Sequence, residues 1–179
     1  VLSFAPTKLN GVVQFQRHPP ADSRGSFARL YCPQAFAEAG IDFNAVQMSL
    51  SANHSAHTLR GMHYQQPPFS EAKVVQVVVG AIYDVVADMR PDSATFMRWQ
   101  GFELSRNNGK GLYIPEGCAH GFLTLADATD VLYVMGRMYE PGRAAGFRYD
   151  DPAFSITWPA QPQIIAQADQ DWGPFSSGS

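Results

Sequence analysis

Residues 59–90 read LRGMHYQQPPFSEAKVVQVVVGAIYDVVADMR. KVVQVVVG (73–80) and AIYDVVADMRPDS (81–93) are rich in β-branched and apolar residues. Gly80 parts them and a Pro-Asp-Ser turn closes the second. Both are therefore expected to be strands. The same stretch carries Arg60, His63, Glu71, Lys73, Asp84 and Asp88, in a chain only 16% charged. A lysine in a half-buried strand is costly unless it meets an anion. Alternation along a strand puts Asp84 and Asp88 on one face, and Lys73 with Asp84 is the expected cross-strand pair. Such charges hold a metal, move a proton or brace the fold.

Outward from this segment the pattern stays strand-like. Toward the N-terminus, Val12 to Phe15 reads as a first strand. A turn at Asp22 to Gly25 leads into a strand through Phe27, Leu30 and Tyr31. PQAFAEAGI is the one clear short helix, opening at Pro33 and closing at Gly40. Toward the C-terminus, FMRWQGFEL, GLYIPEG, GFLTLAD and DVLYVMGRMYE follow, separated by turns such as SRNNGKG. Many short strands at near-regular spacing predict an all-β fold, a double-sheet barrel or jelly roll, with a few short helices. Residues 1–179 are expected to form a single jelly-roll domain. At that length folding buries roughly two-thirds of the chain's surface.

Composition narrows the partners. The 45% apolar and 12% aromatic fractions are those of a globular chain. A net charge of −3 builds no basic face, so nucleic acid is not an expected partner. No run approaches the roughly 20 apolar residues of a membrane helix. The start VLSFAPTKLNGVVQF lacks the basic and apolar regions of a signal peptide. Cys32 and Cys118 read as free thiols. Together these features lead to the expectation of a cytoplasmic protein without membrane contact.

Two chemistries compete for the ionisable residues. Pro115, Gly117 and His120 in PEGCAH fit the second cupin signature, P-x-G-x-x-H. The H-x-H that completes a cupin metal site is absent, since the strand reads His63-Tyr64-Gln65. His54 and His57 sit in a loop, and no third ligand accompanies His63 and His120. No metal and no cofactor are expected. For proton transfer, His63 is the natural base. Tyr133 and Tyr139 lie six apart, with the same parity if their strand is regular. A salt bridge for Lys73 and core packing for the tyrosines are the plainer alternatives.

Over LRGMHYQ, VVQVVVGAIYDVVADMRPDS, YIPEGCAHGF and RYDDPAFSITWP the chain resembles the dTDP-4-dehydrorhamnose 3,5-epimerase family. The blocks keep order and spacing from DSRGSF to ADQDW. The resemblance implies a metal-independent, cupin-like homodimer acting on nucleotide-diphosphate 4-keto sugars. It implies inversion at C3, C5 or both through an enolate. By it, His63 matches the base, Asp169 the acid that orients it, Tyr133 the proton donor and Lys73 the cation near the C4 oxygen. Tyr139 matches the aromatic that stacks on the nucleotide, and Arg60, Gln47 and His120 match groups around the diphosphate and sugar. Arg24 and Phe27 match nucleotide contacts from a strand swapped between subunits. Met48, Ser49, Arg29, Ala144 and Ala168 depart from the family pattern, which implies a shifted nucleotide or sugar preference. A catalytically idle sugar-nucleotide binder, a ketoisomerase and a metal-dependent cupin enzyme are the alternatives.

Overall fold

The computed structural model describes residues 1–175 of the chain. The elements run β1 (Leu2–Pro6), β2 (Val13–Arg17), β3 (Ala21–Asp22), β4 (Gly25–Ser26), α1 (Pro33–Glu38), β5 (Gln47–Asn53), β6 (Thr58–Gln65) and β7 (Lys73–Val79). Then come β8 (Ala81–Asp88), β9 (Trp99–Ser105), β10 (Lys110–Ile114), β11 (Cys118–Thr124), β12 (Thr129–Met135), β13 (Ala144–Gly146), β14 (Ile164–Ile165) and α2 (Gln167–Gln170). One sheet has the order β1-β2-β10-β7-β12-β5. The other runs β13-β6-β11-β8-β9, with β14 added beside β6. The pairings are antiparallel except that of β14 with β6. The fold is a jelly roll, as the strand pattern predicts.

Alternation explains the layers. Val75 and Val77 of β7, Ile82 and Val86 of β8, Phe122 of β11 and Val131 of β12 meet in the buried cluster between the sheets. Val74 and Val134, of opposite parity, face the other way and pack with Phe36 of α1 and with Phe43. Met62, Val85 and Ala87 back onto Phe147 and Phe154 from the C-terminal segment. The apolar run of β7 is thus buried on both faces, which is why it reads as a continuous hydrophobic stretch rather than an alternating one.

Several expectations need correcting. The first strand is β1, ahead of β2, and β2 itself opens at Val13. LSFAP is short, ends in proline and sits at the sheet edge, so it carries little strand signal. The segment Phe27–Tyr31 forms no strand; β3 and β4 make only a two-residue hairpin before it. Among the described residues its alternation has no neighbouring strand to pair with. Residues 19–27 form an exposed arm, with Phe27 87% accessible. Tyr139 lies beyond β12, which stops at Met135, so the two tyrosines do not share a strand. The helix opens on Pro33 as expected, and Gly40 takes φ +77 just past its end.

Candidate active site

The inner faces of β5, β6, β7, β11 and β12 enclose a cavity of about 700 Å³. Eight of the ten predicted residues line it: Gln47, Arg60, His63, Lys73, His120, Tyr133, Tyr139 and Asp169. Arg24 and Phe27 do not. They sit on the exposed arm, where the guanidinium of Arg24 donates to Asp22 at 2.7 Å. A separate cleft of about 840 Å³ runs past Arg90 and Asp92, sharing Tyr64 and Gln65 with the first. Its arginine is spent on Asp88 and on the carbonyl of Asn10.

His63 leaves β6 just after Gly61, which takes φ +119. A Cβ there would lie 2.5 Å from the Cα of Gly121, so only glycine lets β6 approach β11 at this point. The register against β11 slips across the same step, from His120 opposite His63 to Phe122 opposite Arg60. Asp169, on the single turn of α2, reaches this irregularity. Its Oδ1 lies 2.5 Å from His63 Nε2, and its Oδ2 accepts the Gly61 N–H at 3.1 Å. Burial alone would raise the Asp169 carboxyl. The bond and charge of His63, the Gly61 N–H and the Arg60 guanidinium outweigh it and hold the carboxyl below its usual value. With Nε2–H directed at Asp169, the free lone pair of a neutral His63 lies on Nδ1. Trp172 meets the imidazole edge-on at 6.2 Å between centroids.

Tyr133 comes from the facing sheet, opposite Ser49 on β5 and Val75 on β7. Burial raises its phenol far above the usual range, the Asp84 charge raises it further, and Arg60 only partly offsets this. It is therefore a neutral hydroxyl, able to donate. Its ring meets that of His120 edge-on at 5.8 Å. His120 is a buried residue of β11.

The predicted Lys73–Asp84 pair does not form. Asp84 accepts from His120 Nε2 at 2.7 Å, and Lys73 Nζ lies 3.1 Å from Glu71 Oε1. Asp84 and Lys73 do both face inward. Asp84, however, stands on β8, beside β11 in the other sheet, and reaches the histidine first. Glu71, two residues before Lys73, reaches the ammonium from its own strand end. That spacing was the available sign for Glu71. Trp172, three residues after Asp169, also lines the cavity and carried no signal except its nearness to that acid. Gln47 Oε1 accepts the Tyr139 N–H at 3.3 Å, which ties the mouth of the pocket to β5. Arg60 Nε donates to Asn53 Oδ1 at 2.8 Å. Among the described residues no three His, Cys, Asp or Glu side chains are grouped to hold a metal ion.

The arrangement offers a base on one sheet with a buried counter-acid from α2, and on the other sheet a neutral phenol with an ammonium on the adjacent strand. A family model for dTDP-4-dehydrorhamnose 3,5-epimerase matches residues 6–177. The dTDP-4-dehydrorhamnose 3,5-epimerase of Methanothermobacter thermautotrophicus is 36% identical over 175 residues, covering 96% of this chain and 94% of that one. The crystal structure of the Bacillus anthracis enzyme with TDP and PPi bound matches with a TM-score of 0.94 at 32% identity, covering 98% of this chain and all of that one. A Legionella pneumophila dTDP-6-deoxy-D-glucose-3,5-epimerase in complex with dTDP-4-keto-L-rhamnose matches with a TM-score of 0.89 at 31% identity, over 95% of this chain and 90% of that one. The chain belongs to the dTDP-4-dehydrorhamnose 3,5-epimerase family.

Proposed function

We propose that His63, assisted by Asp169, removes a proton beside the ketone of a nucleotide-linked 4-keto-6-deoxy sugar, and that Tyr133 returns one on the opposite face. The chain is an epimerase acting at C3, C5 or both. The observation that carries the role assignment is the placement of His63 and Tyr133 on opposite sheets of one cavity. Loss of a proton next to a carbonyl gives an enolate whose charge gathers on the ketone oxygen. Lys73, about nine-tenths buried, supplies a fixed positive group for that oxygen. Asp169 holds the imidazole tautomer and stabilises the imidazolium formed when His63 takes the proton. Reprotonation on the same face restores the original centre, whereas reprotonation from Tyr133 inverts it.

Arg60, Gln47, His120 and Tyr139 bind the diphosphate, sugar and nucleotide in this reading. Arg24 and Phe27 complete the site of a second copy, which makes the working form a homodimer. The support is that both lie on an exposed arm that makes no contact with its own pocket.

Incubation with dTDP-4-keto-6-deoxyglucose in deuterium oxide tests the reading. Deuterium is expected at one or both carbons beside the ketone, with inversion. Tight binding of the sugar nucleotide without incorporation would make the chain an idle binder instead.

A further inference from the structure

Two carboxylates, Asp169 and Glu71, line the pocket and a third, Asp84, is buried behind His120, each tied to one basic side chain. Asp169 meets His63 at 2.5 Å, Asp84 meets His120 at 2.7 Å, and Glu71 meets Lys73 at 3.1 Å. The second pair is sealed into the floor, its side chains 5% and 0% exposed. The third is different. Lys73 and Glu71 are 10% and 11% exposed, and both line the cavity.

An ammonium has three donors, and Glu71 engages one of those on Lys73. A carboxylate has about four acceptor sites, and among the described residues Glu71 receives, beyond Lys73, only a long contact from Gln65 Nε2 at 3.4 Å. Gln65 lines the same cavity, is 6% exposed, and has a buried Oε1 with no hydrogen-bond partner. Spare acceptors are thus collected beside the ammonium assigned to the ketone oxygen.

The spacing fits an α-hydroxy ketone. The carbonyl and hydroxyl oxygens on adjacent carbons lie about as far apart as the ends of an O–H···O bond, roughly 2.7–2.8 Å. A donor and an acceptor 3.1 Å apart match that pair. We propose that Glu71 is a specificity-determining residue that accepts a hydrogen bond from the hydroxyl next to the ketone while Lys73 holds the ketone oxygen. The inference rests on the enolisation reading of this pocket and names the substituent it selects. A methylene in the hydroxyl's place would strip Glu71 of water and return no donor.

The test compares two substrates: a nucleotide-linked 4-keto-6-deoxyhexose with a C3 hydroxyl, and its 3-deoxy counterpart. Both keep exchangeable hydrogens beside the ketone, so kcat/KM for deuterium exchange is measurable for each. The native protein is expected to favour the hydroxylated sugar by about 10²-fold or more. Glu71→Leu should bring the ratio to within about threefold of unity. Glu71→Gln, which keeps the shape and a neutral acceptor, should lower it about tenfold and decides the matter if the leucine variant does not fold. An unchanged ratio in a folded Glu71 variant overturns the proposal. If His63→Ala abolishes exchange at the same time, the base assignment survives and only the role of Glu71 is lost. Exchange that persists in His63→Ala overturns the enolisation reading and this inference with it.

Discussion

His63 and Tyr133 differ in what each can do to a proton. In the proposed reaction His63, hydrogen-bonded to the Asp169 carboxylate, is the acceptor, and Tyr133, desolvated and kept neutral, is the donor. His63→Ala should therefore abolish both deuterium exchange and inversion, a loss of about 10²–10⁴-fold or more. Tyr133→Phe should block inversion yet leave exchange with retention, because the first step does not need the phenol. Lys73→Met should slow both, since the enolate loses its counter-charge. NMR of the sugar in deuterium oxide reads all three variants. Unchanged rates per folded molecule, with only melting temperature lowered, would make these residues packing groups. The histidine, lysine, tyrosine and distant aspartate were legible because whole blocks of sequence keep the family's order. The partner of Lys73 was not. Strand parity says which way a side chain faces, and it does not say which of two inward carboxylates comes within reach.

β6 and β8 each carry a local device that bears on stability. At Gly61 an added methyl would press on the backbone of both Gly121 and His120, in a conformation that side chains rarely adopt. Gly61→Ala should cost about 3 kcal/mol. It should also weaken the Asp169–His63 pair, because the Gly61 N–H that anchors Asp169 would move. Denaturant titration and the exchange assay read the two effects separately. At the end of β8, Asp88 is fully buried and accepts from Arg90, Ser93 and Thr95. Burial alone would raise its carboxyl, but these bonds bring it down to about 2. A carboxylate lowered in this way stabilises the fold above its unfolded value near 4 and loses that contribution as pH falls through about 2. The stabilisation is about 2 kcal/mol at neutral pH. The stability gap between the native chain and Asp88→Asn, measured by urea unfolding, should narrow over that acid range. A gap that stays constant would assign the network a purely geometric role. Most strands could be read because burial on one or both faces leaves a periodic trace. β1 could not, and the segment at Phe27–Tyr31 was overread, because an edge or an arm gets its structure from neighbours the local pattern does not reveal.

For the whole molecule the question is whether one copy makes a complete site. The cavity gathers its acid–base groups from a single chain, while Arg24 and Phe27 point elsewhere. A homodimer is the expected state by light scattering at micromolar concentration. Phe27→Ala should weaken nucleotide binding and leave the His63–Asp169 pair intact. A fully active monomer would contradict this.

Seated on a second copy as proposed, the exposed arm would make the chain's survival against proteolysis depend on its concentration. Phe27 is an accessible aromatic at the end of an exposed two-strand arm, the preferred kind of cleavage site for a chymotrypsin-like protease. A cut there separates β1 to β4 from the remaining chain. The severed piece would still be held by the ladder from β2 to β10, by bonds such as that from Arg90 to the Asn10 carbonyl, by Leu9 and Val12 in the core, and by the apolar cluster of Phe4 and Phe15 with Phe36. The nicked protein would keep its barrel and the residues of its cavity while losing the tether on the segment assigned to a second copy. In dilute solution, where the arm has no neighbour to shield it, digestion would be fast, and crowding the chains together would slow it.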